Sequence, residues 1–315
     1  MNIYKNCRLC GHECGVDRTR FLGRCHSGAT PRVARCELHE WEEPPITGQK
    51  GSGTIFFSGC SLGCLFCQNR TISRSEFGSP ADKNTLLRMM LSLEEKGATN
   101  INFVTPTHVI PTLVEAITEA RKSGLSIPIV YNTSSYERVE SLRMLDGLID
   151  IYLPDLKYMD ARLAKRYSGA ENYPKVAKEA IAEMMRQCPT PIFSTETTHS
   201  PASEVACETP ILLRGVVCRV LVLPNAIANA CLSISHLYRT YGDNICISIL
   251  GQYTPVGDLP PPLNRKITHE EYRRVVEYAE GIGVKNAFIQ SLAVAEESFI
   301  PKFYENLSLS LDKEV

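Results

Sequence analysis

Three cysteines stand in the stretch Cys60-Ser61-Leu62-Gly63-Cys64-Leu65-Phe66-Cys67, spaced C-x3-C-x2-C. Thiols this close together can wrap three corners of one cuboidal iron–sulfur cluster, whereas ordinary ferredoxin-type clusters take four thiolates. A run that stops at three leaves one iron open to an atom of a substrate. Gly63 allows the backbone to fold tightly around such a cluster. The preceding Gly53-Thr54-Ile55-Phe56-Phe57-Ser58-Gly59 is a short apolar run ended by a turn glycine, and predicts a strand followed by a loop. The competing reading is three incidental core cysteines, a common fate of this residue type.

A second set lies upstream, where Cys7, Cys10, Cys14 and Cys25 follow C-x2-C-x3-C-x10-C, with Cys36 further on. Gly11, Gly15, Gly23 and Gly28 punctuate residues 1–50, which show almost no helical or strand periodicity. So short and polar a segment buries no core of its own, so a staple is expected. Four thiolates fit tetrahedral zinc and an auxiliary iron–sulfur cluster equally well. The alternative is that they stay reduced and unligated. His12, His26 and His39 are substitute ligands, although lone histidines more often serve as surface or hydrogen-bonded groups.

The chain that must position these thiols has 315 residues, 43% of them hydrophobic, and a net charge of −1. That suits one large α/β domain with an appendage. No basic excess points to nucleic acid, no polybasic block to a membrane surface, and no apolar run approaches the ~20 residues of a membrane span. Met1-Asn2-Ile3-Tyr4-Lys5-Asn6-Cys7 lacks a signal-peptide core, so a cytoplasmic location is expected. In that setting thirteen cysteines favour metal or cluster ligation over disulfides. An open-cornered cluster is oxygen-sensitive and implies reducing, anaerobic conditions.

Residues 39–48 read as a linker in which Glu42 and Glu43 either line an active-site mouth or, the favoured reading, form a solvated acidic loop with Trp41 an anchoring aromatic. From Gly53 onward, strand-like runs alternate with helical patterns, as in repeated βα units. Strands are expected at 54–58, 101–104, 127–131, 149–153, 216–223 and 245–250, and 284–289 closes the series. Helices are expected at 84–96, 110–123, 136–146, 161–167, 174–187, 226–238 and, opened by a Thr268/Glu271 capping box, up to Gly281. The strand count falls short of an eight-unit closed barrel. The expected fold is α/β, a partial (βα)6 barrel over 51–292, with a cysteine-rich module and linker at 1–50 and a tail at 293–315. Residues 188–213, rich in turn formers, read as an inserted loop, a lid or partner surface.

C-x3-C-x2-C with an aromatic before the last cysteine resembles the signature of the radical S-adenosylmethionine (radical SAM) superfamily. The wider block Gly51-Ser52-Gly53-Thr54-Ile55-Phe56-Phe57-Ser58-Gly59-Cys60 with Cys67-Gln68-Asn69 is similar to its branch related to pyruvate formate-lyase activating enzyme. The resemblance implies a [4Fe–4S] cluster on Cys60, Cys64 and Cys67 that reductively cleaves SAM to a 5′-deoxyadenosyl radical. It also implies a one-electron reductant, flavodoxin- or ferredoxin-like, and a protein substrate. Loops after the barrel strands supply the SAM side. Thr105-Pro106-Thr107-His108 stands where many relatives have Gly-Gly-Glu, so Thr105 and Thr107 replace that contact. Asn132-Thr133-Ser134-Ser135 offers small polar groups, with serine at 135 where the family usually has glycine. Asp155-Leu156-Lys157 is similar to the Asp-x-Lys element of activating enzymes, the alternative being a plain strand-end salt bridge. Arg219 is followed by Val220 where relatives have histidine, and Gln252-Tyr253 follows the sixth strand. Pro45 occupies a position that is cysteine in the family.

Three functions fit these residues. The leading one is hydrogen abstraction from a protein partner, as in activation of glycyl radical enzymes. The second is radical SAM modification of a small molecule or peptide, and the third a non-catalytic iron–sulfur electron carrier. A carrier needs only the cysteines, and leaves Asn132–Ser135 and Asp155–Lys157 without a task.

Overall fold

The computed structural model describes residues 2–198 and 209–290. Ten strands share one sheet: β1 (Arg32–His39), β2 (Ser52–Phe57), β3 (Ser79–Pro80), β4 (Ile101–Val104), β5 (Ile129–Thr133), β6 (Ile151–Pro154), β7 (Ile192–Thr198), β8 (Thr209–Leu221), β9 (Cys246–Leu250) and β10 (Ala287–Ile289). The helices are α1 (Pro44–Thr47), α2 (Arg70–Ser73), α3 (Lys83–Glu95), α4 (Ile110–Lys122), α5 (Val139–Arg143), α6 (Ala161–Ser168), α7 (Tyr173–Gln187), α8 (Ile227–Tyr241) and α9 (His269–Gly281).

The strand order is β10-β9-β8-β6-β5-β4-β2-β1-β3, with β7 paired to β8. From β2 to β10 every neighbouring pair on that path is parallel. Among the described residues no pairing joins β10 to β1 or β3, so this is an open, partial barrel. Strands β2, β4, β5, β6 and β9 are buried along their whole length, as parallel strands covered on both faces must be. One side chain set, including Ile129, Tyr131, Tyr152, Val216 and Ile247, packs with the helices in the main core. The alternate set, Val130, Ile151, Leu153, Val217 and Cys246, packs on Ile46 of α1.

The helices begin and end where side chains satisfy their free backbone groups. Asp82 accepts from the Thr85 amide at 2.8 Å to open α3. The Thr268/Glu271 capping box is present at the start of α9, and Gly169, at φ +62°, ends α6. Helix α5 is shorter than its pattern suggests, five residues rather than eleven.

Two expectations are corrected. Residues 1–50 do contain a strand, β1, which pairs antiparallel with β2 and continues the sheet. The segment 188–213 is not simply a loop: β7 pairs antiparallel with the first part of β8. Gly215 then turns β8 into the parallel sheet opposite Ile151; a Cβ there would lie 2.9 Å from Pro191 Cα. Residues 199–208, within the expected insertion, and the expected tail at 293–315 lie outside the described residues.

Candidate active site

A cavity of ≈ 250 Å³ opens at the carboxyl ends of the parallel strands, walled by the strand ends and the loops that follow them. Cys60, Cys64 and Cys67, on the loop after β2, all line it. Gly63 takes φ +61°, a conformation that L side chains rarely adopt, so the turn between Cys60 and Cys64 favours glycine. Enclosure by the cavity wall pushes the Cys60 thiol up to about 12, the neighbouring Cys67 and Cys64 adding to the effect. A metal centre held there would have to displace protons, and its binding would weaken as pH falls.

Seven of the eight residues expected on the SAM side share this cavity: Thr105, Asn132, Thr133, Asp155, Lys157, Arg219 and Gln252. Thr107 does not. It is buried beneath the cavity, where its hydroxyl donates to Glu137 Oε1 at 2.5 Å. Asp155 sits at the centre of a charge network, accepting from Lys157 Nζ on Oδ2 at 2.7 Å and from Arg219 Nε on Oδ1 at 2.8 Å. Arg219 also donates to Asn132 Oδ1 at 2.6 Å. Burial acts to raise the Asp155 carboxyl, but Arg219 and Lys157 outweigh it and hold it below its ordinary range. Burial likewise works against the Lys157 charge, and Asp155 outweighs it. The strand-end salt bridge therefore exists, and it stands on the cavity wall beside the cysteines. Tyr253 packs edge-on against Phe66 and donates to the Leu263 carbonyl at 2.6 Å, which is a packing role.

Glu42 and Glu43 turn inward instead of forming a solvated loop. Glu42 lines the cavity 3.8 Å from Arg219, and Glu43, only 8% exposed, accepts from Ser248 at 2.7 Å. Trp41 and His39 reach the same wall, so the linker folds inward as part of the site. Glu137 was given no role by the sequence reading. Its Oε1 accepts from Thr107, Thr133 and Tyr131, while Oε2 has no partner. Burial raises this carboxyl, and its network fixes the end of β5, where Asn132 and Thr133 stand. The only signal for it was a carboxylate two residues beyond Ser135. Ser135 itself takes φ +60°, a backbone conformation that glycine adopts more readily.

The upstream cysteines also converge. Cys7, Cys10, Cys14 and Cys25 line one small cavity together with Arg18, Arg24, Ser61 and His108. It adjoins the first site directly, since the Cys60 amide donates to the Cys25 carbonyl at 3.0 Å. Of the histidines named as substitutes, His39 lies at the larger cavity, and neither His12 nor His26 lines either one. Among the described residues no three Cys, His, Asp or Glu donors are already drawn together as a single-ion site.

Comparison with known proteins agrees with this arrangement. The radical SAM superfamily model matches residues 54–198, a little under half of the chain. An uncharacterized protein of Methanocaldococcus jannaschii is 28% identical over 291 residues, covering 89% of this chain and 75% of that protein. Among solved structures, HydG, a maturase of the [FeFe]-hydrogenase, superposes on 75% of this chain with a TM-score of 0.50 and 15% identity. SuiB of Streptococcus suis covers 76% with a TM-score of 0.48 and 12% identity. The chain spans about half the length of each, 50% and 49%. No helix among the described residues is long and apolar enough to cross a membrane. The stretch that carries Cys60, Cys64, Cys67, Asn132, Asp155 and Lys157 is thus a radical SAM superfamily domain.

Proposed function

We propose that the chain is a radical SAM enzyme that takes a hydrogen atom from a protein partner, in the manner of glycyl-radical-enzyme activases. One observation carries the reading: a single cavity gathers three thiols with Asn132, Asp155, Lys157 and Arg219. The donor set fits the groups the superfamily uses. Cys60, Cys64 and Cys67 would hold three irons of a [4Fe–4S] cluster, and the glycine turn at 63 leaves that loop room to curl. When bound, cluster and SAM supply a one-electron cleavage that yields a carbon radical able to abstract hydrogen.

The protein's own contribution is positional. Lys157 would balance the methionyl carboxylate while Asp155 keeps the lysine charged and in place. Arg219, held by Asp155 and Asn132, keeps the strand ends in register with one another. Val104, Leu221 and Leu250 give the wall an apolar part that excludes water from the reacting centre.

A protein target is favoured by size. Cluster and SAM would take up the cavity, which leaves no enclosed space for a further substrate. The target C–H bond then has to be presented at the mouth, as a segment of another chain can do. A flavodoxin- or ferredoxin-like protein would deliver the electron.

The test is anaerobic reconstitution with iron and sulfide, followed by SAM and dithionite. The expected product is 5′-deoxyadenosine. Fully loaded protein that makes none is an electron carrier, and the proposal then fails.

A further inference from the structure

We infer that Cys7, Cys10, Cys14 and Cys25 bind a single zinc-type metal ion as a tetrathiolate centre, separate from the thiols at Cys60–Cys67. The inference stands on this corner of the molecule alone and does not depend on the radical reading.

The backbone first presents the thiols. The Cys7 carbonyl accepts from the Gly15 amide at 2.9 Å and the Cys7 amide donates to Val16 at 3.1 Å, folding 7–16 into a tight hairpin-like loop. The Cys10 carbonyl accepts from Glu13 at 2.9 Å, and Glu13 and Gly15 adopt positive φ, so the chain turns sharply on both sides of Cys14. The second turn is closed by Gly23 and Ser27, whose amide and carbonyl pair at 3.0 Å around Cys25. A C-x2-C loop and a second turn facing each other is the usual way a chain offers four sulfurs to a tetrahedral ion.

The surroundings independently call for a ligand. His108 and Ser61 are each 2% exposed and line the cavity, yet His108 Nδ1 and Ser61 Oγ have no hydrogen-bond partner. Buried polar atoms of this kind are rarely left unpaired. Arg18, also 2% exposed, donates to the carbonyls of His108, Ser27 and Gly28 and to Cys7 Sγ at 3.7 Å. No carboxylate pairs with it among the described residues. A buried guanidinium without a counter-ion is costly. Four thiolates around a divalent cation carry two excess negative charges, and Arg18 and Arg24, both on the cavity wall, offset them.

Size favours an ion over a cluster. The cavity is small, ≈ 10 Å³, and matches one ion more closely than a cuboid of four irons and four sulfides. The sulfurs are not yet gathered on one point, so binding draws them inward by rotation about χ1.

The test uses the full chain with Cys60, Cys64 and Cys67 all changed to Ala, purified anaerobically, with zinc, iron and sulfide measured. The expected result is about one zinc per chain and no stoichiometric iron, falling at least tenfold in Cys25→Ser. Because Cys25→Ser carries a risk of misfolding, cobalt(II) exchanged into the otherwise intact triple variant gives a second readout. It should show the intense visible absorption of a tetrahedral thiolate site, weakened in the exposed-position variant Cys14→Ser. Iron and sulfide in place of zinc overturn the single-ion assignment. A folded protein with neither metal, or a cobalt spectrum unchanged by Cys14→Ser, overturns the site.

Discussion

Replacing Lys157 by Ala tests the SAM side of the cavity most directly. The side chain is 17% exposed, and its ammonium lies 2.7 Å from Asp155 Oδ2. Truncating one partner of a buried, hydrogen-bonded charge pair costs about 2–5 kcal/mol of binding. The lower end applies here, because Asp155 retains Arg219 at 2.8 Å and is not left alone. About 2 kcal/mol corresponds to roughly thirtyfold in dissociation constant. The assay is equilibrium dialysis of SAM against anaerobically reconstituted protein, with iron content and unfolding midpoint as controls. Lys157→Ala should bind SAM roughly thirtyfold more weakly, with iron content unchanged. Asp155→Asn should lose affinity as well, and the double variant should lose less than the sum, since both act through one pair. Unchanged SAM affinity in Lys157→Ala with normal iron would refute the reasoning: the pair is then a strand-end brace that SAM does not meet.

Further predictions concern other parts of the site. Cys64→Ala should lose cluster iron and 5′-deoxyadenosine production while the secondary structure by circular dichroism is retained; normal iron and activity would exclude it as a ligand. Gly59→Ala places a Cβ 2.6 Å from the Cys25 carbonyl at φ +85°, so it should lower iron retention although every cysteine remains, a result read by iron analysis. Burial pushes Glu43 up to about 7 from its ordinary 4.5, against Arg219 and the Ser248 hydrogen bond. Between those values the folded state keeps a proton that the unfolded chain has lost, so stability falls as pH rises through that window. At about 1.4 kcal/mol per unit the loss is about 3 kcal/mol. Denaturant unfolding at pH 5 and pH 8 should show it in the wild type and not in Glu43→Gln; equal slopes in both would refute the assignment.

What the sequence made legible follows from which forces act locally. The parallel strands are unbroken apolar runs because both of their faces are covered, so β2, β4, β5, β6 and β9 could be read directly. Strand β1 was hidden. It lies second from the sheet edge, with partly exposed charged residues, and a bulge between Val33 and Arg35 breaks the alternation that would announce it. Strand β7 was masked by Pro189 and Pro191, which end the preceding segment but do not forbid a hairpin after it. The site residues at strand ends were legible because βα topology sends those loops to one side. Thr107 shows the limit: two residues from Thr105, its hydroxyl is captured by Glu137, a partner thirty residues on. The solvated reading of Glu42 and Glu43 was favoured over the active-site mouth for the same reason. Their polarity suggests solvent, while the groups that draw them inward, Arg219 and Ser248, are remote in sequence.

The antiparallel pairing of β1 with β2 has a consequence for how the protein is made. Parallel strands cannot pair until their crossover helices are synthesised and loop closure has been met, whereas a sequence-local antiparallel pair meets a much lower entropic barrier. Strands β1, β2 and β3 are all complete by Pro80, as are all seven cysteines that line the two cavities. The Cys25–Cys60 contact therefore becomes available on the nascent chain while the strands from β4 onward have yet to emerge. The loop that carries Cys7 and Cys10 is held later, by the Gly11 amide on the Tyr136 carbonyl and the Arg138 amide on the Leu9 carbonyl, once β5 has been made. The Cys25 turn and the Cys60–Cys67 loop can therefore meet before the barrel is complete, whereas the upstream cavity is finished only with the residues that follow β5.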